Sequence, residues 1–584
     1  MGSTFRRVSF VFSIGALLGG VTGCGSNAAE QYPDASPSDG AVVPEAGGRD
    51  GGASVERPEP TGGAGNILLA RGTAQLLTQG PACTSETGGT GDRWCAFATP
   101  STTGFGEANL FVLNVSRAAA GVSISCEGST VDPNCLRLTR GFAEDETHAA
   151  LFQGDTLLYF DNNAVPYGWR PGMSNGRALV TNLSGDVHDC LPSSKGNSVL
   201  CLRDLSPQPN SKIQQSELLV GQLDSAASPP LTKVDTVIFN DPADGPTVQR
   251  FRVGFRPSGD YVAWSSRAEP GGPEILKVQK VGDDSTRVTV ASDVSRWSIS
   301  PTGNHWFWLS QFNYNTAGMR SGTLQMAPFP AGTAPTTLLP NVGDFSVARN
   351  GSLVARAMVN ASRGDLKGIV DPVAAPTQIA SIASGVIAVR GISPQGHVAY
   401  TKNVDTLFGF VDIHVNKLDG TGTPCAVLTQ LTGHPSVLFL PGSGGMVWAR
   451  ITNLDSSIDD VFKYRESFTR LSDCSTSVVA ADVGPRFGIA GDDAILAVQE
   501  YDGVDGTLRI QDVTGGTMVS AGQPALIHTR VDDYLPVATS PGAVIFTVNA
   551  GAAADGLYLH TVAAGTAPAA DGGTPDTSSD TSAD

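Results

Sequence analysis

Ile299-Ser-Pro-Thr-Gly-Asn-His-Trp-Phe-Trp308 opens on an apolar residue, passes through a short turn string and ends in a run of aromatics. Pro presets one backbone angle and Gly accepts a positive one, so the string reverses the chain between two strands. Phe255-Arg-Pro-Ser-Gly-Asp-Tyr-Val-Ala-Trp264 and Ile392-Ser-Pro-Gln-Gly-His-Val-Ala-Tyr400 read the same way. Weaker copies are Val347 to Ala355, Leu440 to Trp448, Ile489 to Ala497 and Thr539 to Phe546. With Gly259, Gly303, Gly351, Gly396, Gly444, Asp492 and Gly542 as anchors, the period is 44 to 50 residues. Repeats of that length indicate propeller blades or another repeat array.

Each repeat supplies further strands. Ile275 to Val281 and Thr286 to Val290 follow one turn, and Val411 to Leu418 and Ala426 to Thr429 follow another. The predicted unit is therefore four-stranded. Second strands such as Val544-Ile-Phe546 are apolar at consecutive positions, which fits strands covered on both faces. The last unit offers only three strands, and Ala74-Gln-Leu-Leu-Thr78 stands ahead of the first as an orphan fourth. The expectation is an all-β chain with a single β-propeller of four-stranded blades, closed by that orphan strand so that no sheet edge is left open. Irregular candidates at Gly91 to Phe97, Gly154 to Phe160 and Gly196 to Leu202 set the range at seven to ten blades. Eight is favoured, because rings usually have about four to eight blades.

The turn strings of Phe255 to Trp264, Ile299 to Trp308 and Ile392 to Tyr400 resemble the WD40-like repeats of the TolB-type propeller family. Ser258, Thr302 and Gln395 stand where that family favours Asp. The resemblance implies a propeller of the cell envelope, commonly a binding platform, and supplies no catalytic residues.

Arg6 and Arg7, the uncharged apolar run Val8 to Val21, and small residues ahead of Cys24 form a secretion signal. The run is too short to span a bilayer comfortably and no stop-transfer pattern follows. Val21-Thr22-Gly23-Cys24 resembles the lipobox of bacterial lipoproteins, which implies acyl chains on Cys24 after cleavage. The expected layout is a lipoprotein signal peptide at 1–23, a disordered tether at 24–65, the propeller at 66–564 and a disordered acidic tail at 565–584. Tether and tail are almost free of large apolar side chains and cannot offset their ordering entropy. Gly25, rather than Asp, after the lipidated cysteine favours the outer membrane in a diderm cell.

Of 9 cysteines, Cys24 goes to lipid. Cys83, Cys95, Cys126, Cys135, Cys190, Cys201, Cys425 and Cys474 remain as an even set of disulfide candidates for an oxidising compartment. Close neighbours read as local pairs, although eight thiols allow roughly a hundred connectivities. The net charge is -18, with Lys and Arg scattered, which excludes a nucleic-acid face built on counterion release.

Chemistry-bearing motifs are sparse. Gly172-Met-Ser-Asn-Gly176 matches a nucleophile elbow, but Pro171 precedes it and Arg177 to Asn182 reads as a strand, where the elbow needs strand then helix. The eight histidines are dispersed, Asp502 to Gly506 lacks the ligand series of a calcium loop, and Trp297, Trp306, Phe307 and Trp308 read as packing between blades. No cofactor or metal is implied. The sequence points to a membrane-anchored extracytoplasmic lipoprotein whose propeller binds an envelope protein or glycan without catalysis. The rival is an envelope hydrolase or lyase with its site in the central channel. Replacing Cys24 by Ala is expected to abolish acylation and move the protein from the membrane to the soluble fraction, as read by cell fractionation and intact mass.

Overall fold

The computed structural model describes residues 66–72, 74–76, 83–84, 92–100, 108–126, 132–142, 151–161, 163–180, 187–205, 214–227, 229–240, 253–267, 272–314, 320–360, 363–405, 410–432, 436–440, 444–451, 464–490, 495–501, 506–512, 525–537, 542–548 and 554–562. Cys24 and the expected tether and tail lie outside them.

The chain is all-β, built from four-stranded antiparallel sheets in a propeller-like arrangement. Ser300 shows how a unit starts. Its hydroxyl accepts the N–H groups of Asn304 and His305, each at 3.1 Å, while Gly303 turns the chain at φ 75°. Ser393 accepts the N–H of His397 at 2.9 Å in the same way. The strand after each turn is sealed from water on both sides: Val262, Ala263 and Trp264 are buried, as are Trp306, Phe307 and Trp308, and Val398, Ala399 and Tyr400. Burying a large apolar side chain contributes about 1.5–3 kcal/mol, so these triplets dominate the cohesion of neighbouring sheets.

Three long strands serve two sheets each. Thr336–Val347, Thr476–Ala490 and Ala525–Val537 pair backwards as the fourth strand of one unit and forwards as the first strand of the next. The exchange falls on Val342, Val483 and Val531, each of which pairs on both sides. With shared strands divided there, the described residues form ten four-stranded units: 75–142, 151–178, 187–240, 253–292, 294–342, 342–386, 388–432, 436–483, 483–531, and 531–562 with 66–71. They are numbered 1 to 10 below. Ten lies at the top of the range expected from sequence and above the favoured eight. All three irregular early candidates supply the second strand of a unit, at Trp94–Pro100, Thr156–Phe160 and Ser198–Asp204.

Apolar clusters join the units in order. Trp264 of unit 4 packs with Leu200, Leu202 and Leu218 of unit 3, while Ala263 on its other face meets Trp297 and Trp306 of unit 5. The last unit meets the first: Val537, Ile545 and Leu559 share a cluster with Leu76, Phe97 and Leu113.

The strand that completes unit 10 differs from the expectation. It is Asn66–Arg71, paired with Gly556–Val562, and not Ala74 to Thr78. Gln75–Leu76 instead begins unit 1, paired with Trp94–Pro100. Gly72, at φ 82°, makes the passage between the two in a few residues, and its N–H is bound by the carbonyl of Asp555 at 2.9 Å. The Asn66 side chain fastens the outer strand, donating to the Ile527 carbonyl at 2.9 Å and meeting Nδ1 of His560 at 2.8 Å.

The eight described cysteines pair as Cys83–Cys95, Cys126–Cys135, Cys190–Cys201 and Cys425–Cys474. The first three stay within a unit, and the fourth links unit 7 to the turn before the last strand of unit 8. Four disulfides mark an oxidising, extracytoplasmic environment, and no helix among the described residues is long and apolar enough to cross a membrane. The Cys425–Cys474 bridge closes a loop with a sequence separation of 49, for which chain entropy gives up to about 4 kcal/mol. The double variant Cys425→Ser, Cys474→Ser is expected to lose roughly 2–4 kcal/mol, read as a lower urea midpoint, with the β-sheet circular dichroism of the folded state retained.

Candidate functional site

The repeated turns share one face with the connections between third and fourth strands, and on that face they interlock. The first residue past the third strand donates its N–H to the turn in five units: Leu223 to Asn197, Val281 to Asp260, Phe329 to Asn304, Leu418 to Gly396 and Leu471 to Gly444, all at 2.8–3.0 Å. Neighbouring units are joined as well. Ser198 donates from its hydroxyl to the Gly259 carbonyl at 2.7 Å, and Arg256 Nε to the Gly303 carbonyl at 3.0 Å. A Cβ on Gly259 would lie 2.7 Å from the Ser193 hydroxyl. The most repetitive residues of the chain thus hold units together.

Ser258, where the resembled family favours Asp, donates to Asp260, and Asp260 in turn pairs with Arg256 at 3.0 Å. The acid is present two residues later. A second recurring string, unseen in the sequence reading, closes the third-to-fourth connections: Asp283, Asp419 and Asp473 each accept the N–H and hydroxyl of the Ser or Thr two residues on. The signal that could have found it is Asp-x-Ser/Thr just after Lys280, Lys417 and Arg470.

Gly172 to Gly176 lies between the strands Pro166–Trp169 and Arg177–Ala178, with Ser174 exposed on the hairpin. A hydroxyl there lies between two strands and lacks the helix that an elbow supplies. Trp297, Trp306, Phe307 and Trp308 are buried. Trp306 donates to the Pro330 carbonyl at 3.0 Å, and Trp297 meets it edge-on at 5.8 Å between centroids. They are packing, not an open platform. Residues 502–505 of the weak calcium string lie outside the described residues, among which no group of three or more His, Cys, Asp or Glu could hold a metal ion.

Charged groups do meet where units 5 and 6 adjoin. Asp344 pairs with Arg356 at 2.8 Å, and Arg356, almost fully buried, also donates to the Ile387 carbonyl at the entrance to unit 7. Arg296, on the first strand of unit 5, lies over the Phe345 ring at 5.5 Å. Burial lowers its pKa, and the charge of Asp344 opposes that. The Asp344–Arg356 pair and the Arg356 bond to the Ile387 carbonyl tie neighbouring units together. Sequence reasoning missed it because the three residues come from two repeats and carry no motif.

Glu466 is the most perturbed acid. It sits on the third strand of unit 8, fully buried, with no hydrogen-bond partner for either oxygen among the described residues. Burial pushes its carboxyl well above the ordinary range. His397, His414, His528 and His560 are lowered, each chiefly by burial. His414 stacks on Tyr400 at 5.6 Å and His528 packs near Phe546 and Tyr558, so these rings fill gaps between strands.

No protein-family profile matches the chain, and no curated protein matches it. Solved structures resemble it distantly. A eukaryotic initiation factor superposes with a TM-score of 0.42 and 11% identity over 74% of this chain and 98% of its own. Prolyl oligopeptidase B from Galerina marginata gives 0.35 and 11% over 64% and 55%, and the tricorn protease 0.30 and 13% over 80% and 56%. The chain spans a little over half the length of each of those two enzymes. At this distance neither activity nor substrate passes to it.

The raised carboxyl of Glu466 has a signed consequence. The folded chain binds this proton more readily than the unfolded one, so stability falls as pH climbs from the ordinary Glu pKa towards the raised value. Glu466→Gln should therefore match the wild type near pH 4 and exceed it by about 1–3 kcal/mol at pH 7–8. Urea midpoints across that range check this, and a constant difference between the two proteins would refute it. The lowered histidines act in the opposite sense, costing stability as pH falls below about 6.5, and cancel in the comparison.

Proposed function

We propose that this chain is a lipid-anchored, extracytoplasmic binding module. Its units close as a ten-bladed ring and it engages an envelope protein or glycan without catalysis. The observation that carries the reading is where the chain enters and leaves. Asn66, which begins the last unit's outer strand, and Val562, which ends its third, both lie at the face of the repeated turns, Val562 pairing with Gly542 just past the last turn. A tether to Cys24 therefore reaches the membrane from the interlocked face.

The opposite face carries the loops between second and third strands and the passages from unit to unit. Those loops share no string, as surfaces that read different partners do not. Packing of unit 10 against unit 1 supports closure, which covers the two apolar faces that a linear stack would leave bare. The outer membrane remains the favoured site, from Gly25 alone.

Photo-crosslinkers on the two faces test the reading in whole envelopes. Adducts are expected from Asn163 or Val359, which lie in loops opposite the tether, and not from Asp419 on the turn face. Adducts confined to Asp419 would overturn it. Turnover of a peptide, ester or glycoside by the purified chain, lost in Asp344→Asn, would replace it with the hydrolase or lyase reading.

A further inference from the structure

Large apolar side chains left in water cluster on the tether's face. Among the described residues seven are exposed. Val370, Val373 and Ile379 lie in the third-to-fourth connection of unit 6, Val122 in that of unit 1, and Val478 early in the fourth strand of unit 8. Only Leu205 and Val359 lie towards the other face. The unit 6 loop is held in shape, not left slack: Asp371 accepts the N–H of Val373 at 3.2 Å and of Ala374 at 2.8 Å, its carbonyl accepts that of Ala375, and Pro372 is buried beneath. Val370 is 54% exposed and Val373 47%. A folded loop that presents its apolar side chains outward is built for a contact.

We infer that this contact is a zwitterionic lipid surface, on which the turn face lies flat. The inference rests on the lipid-anchored reading. Unit 6 stands four places from unit 10 in the order of units, so the loop and the tether's exit lie nearly across the ring from one another. Anchor at one edge and apolar contact near the other fix a disc's tilt, where the anchor alone would leave it free. A tether of about 40 residues holds the loop at an effective concentration near the millimolar range, so a contact too weak to bind vesicles alone is still populated. The exposed carboxylate of Asp371 lies in the loop itself, while Asp419 and Asp473 on the same face stand by Lys417 and Arg470, and Asp371 is repelled by anionic lipid over roughly one Debye length, about 10 Å. That selects a neutral surface.

The test uses the full chain acylated at Cys24 and floated with phosphatidylcholine vesicles. With eight cysteines in disulfides and Cys24 acylated, Val373→Cys and Val359→Cys each add a single free thiol for a bimane label. Spin-labelled lipid should quench the Val373→Cys label at least ~2-fold more than the Val359→Cys label. Val370→Asp with Ile379→Asp should abolish the difference, and phosphatidylglycerol at low salt should reduce it. A chain that floats with both labels equally quenched overturns the inference and leaves the anchor intact. A chain that does not float overturns the anchored reading and this inference with it. If the label in unacylated Cys24→Ser protein is shielded from iodide without lipid, a second copy covers the loop and the lipid contact is wrong.

Discussion

A strand with apolar side chains on both faces must have a sheet on each side of it. Trp306, Phe307 and Trp308 are consecutive, so they point alternately to opposite faces, and all three are buried. Phe307 packs towards unit 6 and the two tryptophans towards unit 4. The same demand recurs at Val262 to Trp264, Val398 to Tyr400 and Val544 to Phe546. A linear stack would leave one apolar face bare at each end. Val537, Ile545 and Leu559 of unit 10 share a cluster with Leu76, Phe97 and Leu113 of unit 1, and the outer strand Asn66–Arg71 completes the last sheet.

The turns serve that packing. A Gly at positive φ lets the chain reverse within a few atoms of the neighbouring unit, and the N–H groups beyond each third strand bind the turn carbonyls. Asn66 and Val562, the first and last described residues, both lie on this interlocked face. Polar groups elsewhere carry costs that the packing absorbs. Arg356 is satisfied by Asp344 and the Ile387 carbonyl, whereas Glu466 has no partner among the described residues and answers burial by holding its proton.

Much of this was legible in local chemistry. Ile299 to Trp308 specified the turn and both-sided burial because each depends on residues adjacent in sequence. The four-stranded unit, the paired neighbours Cys83–Cys95, Cys126–Cys135 and Cys190–Cys201, and the misfit of Gly172 to Gly176 as an elbow follow for the same reason. The closing strand was misplaced by a few residues, since Ala74-Gln-Leu-Leu-Thr78 and Asn66-Ile-Leu-Leu-Ala-Arg71 have equally good strand composition. Gly72 between them, with its positive φ, was the signal passed over. The favoured eight rested on the usual size of rings, whereas Trp94–Pro100, Thr156–Phe160 and Ser198–Asp204 each supply the second strand of a four-stranded unit among the described residues.

By itself, then, the sequence determined the repeating unit: strand, turn and doubly covered second strand, each fixed by steric and hydrophobic preferences acting over a few residues. Only the tertiary structure decided how many units form, which strand completes the last one, and that Arg296, Asp344 and Arg356 meet. Those depend on distances between groups tens to hundreds of residues apart, for which local preference carries no information until the sheets have packed.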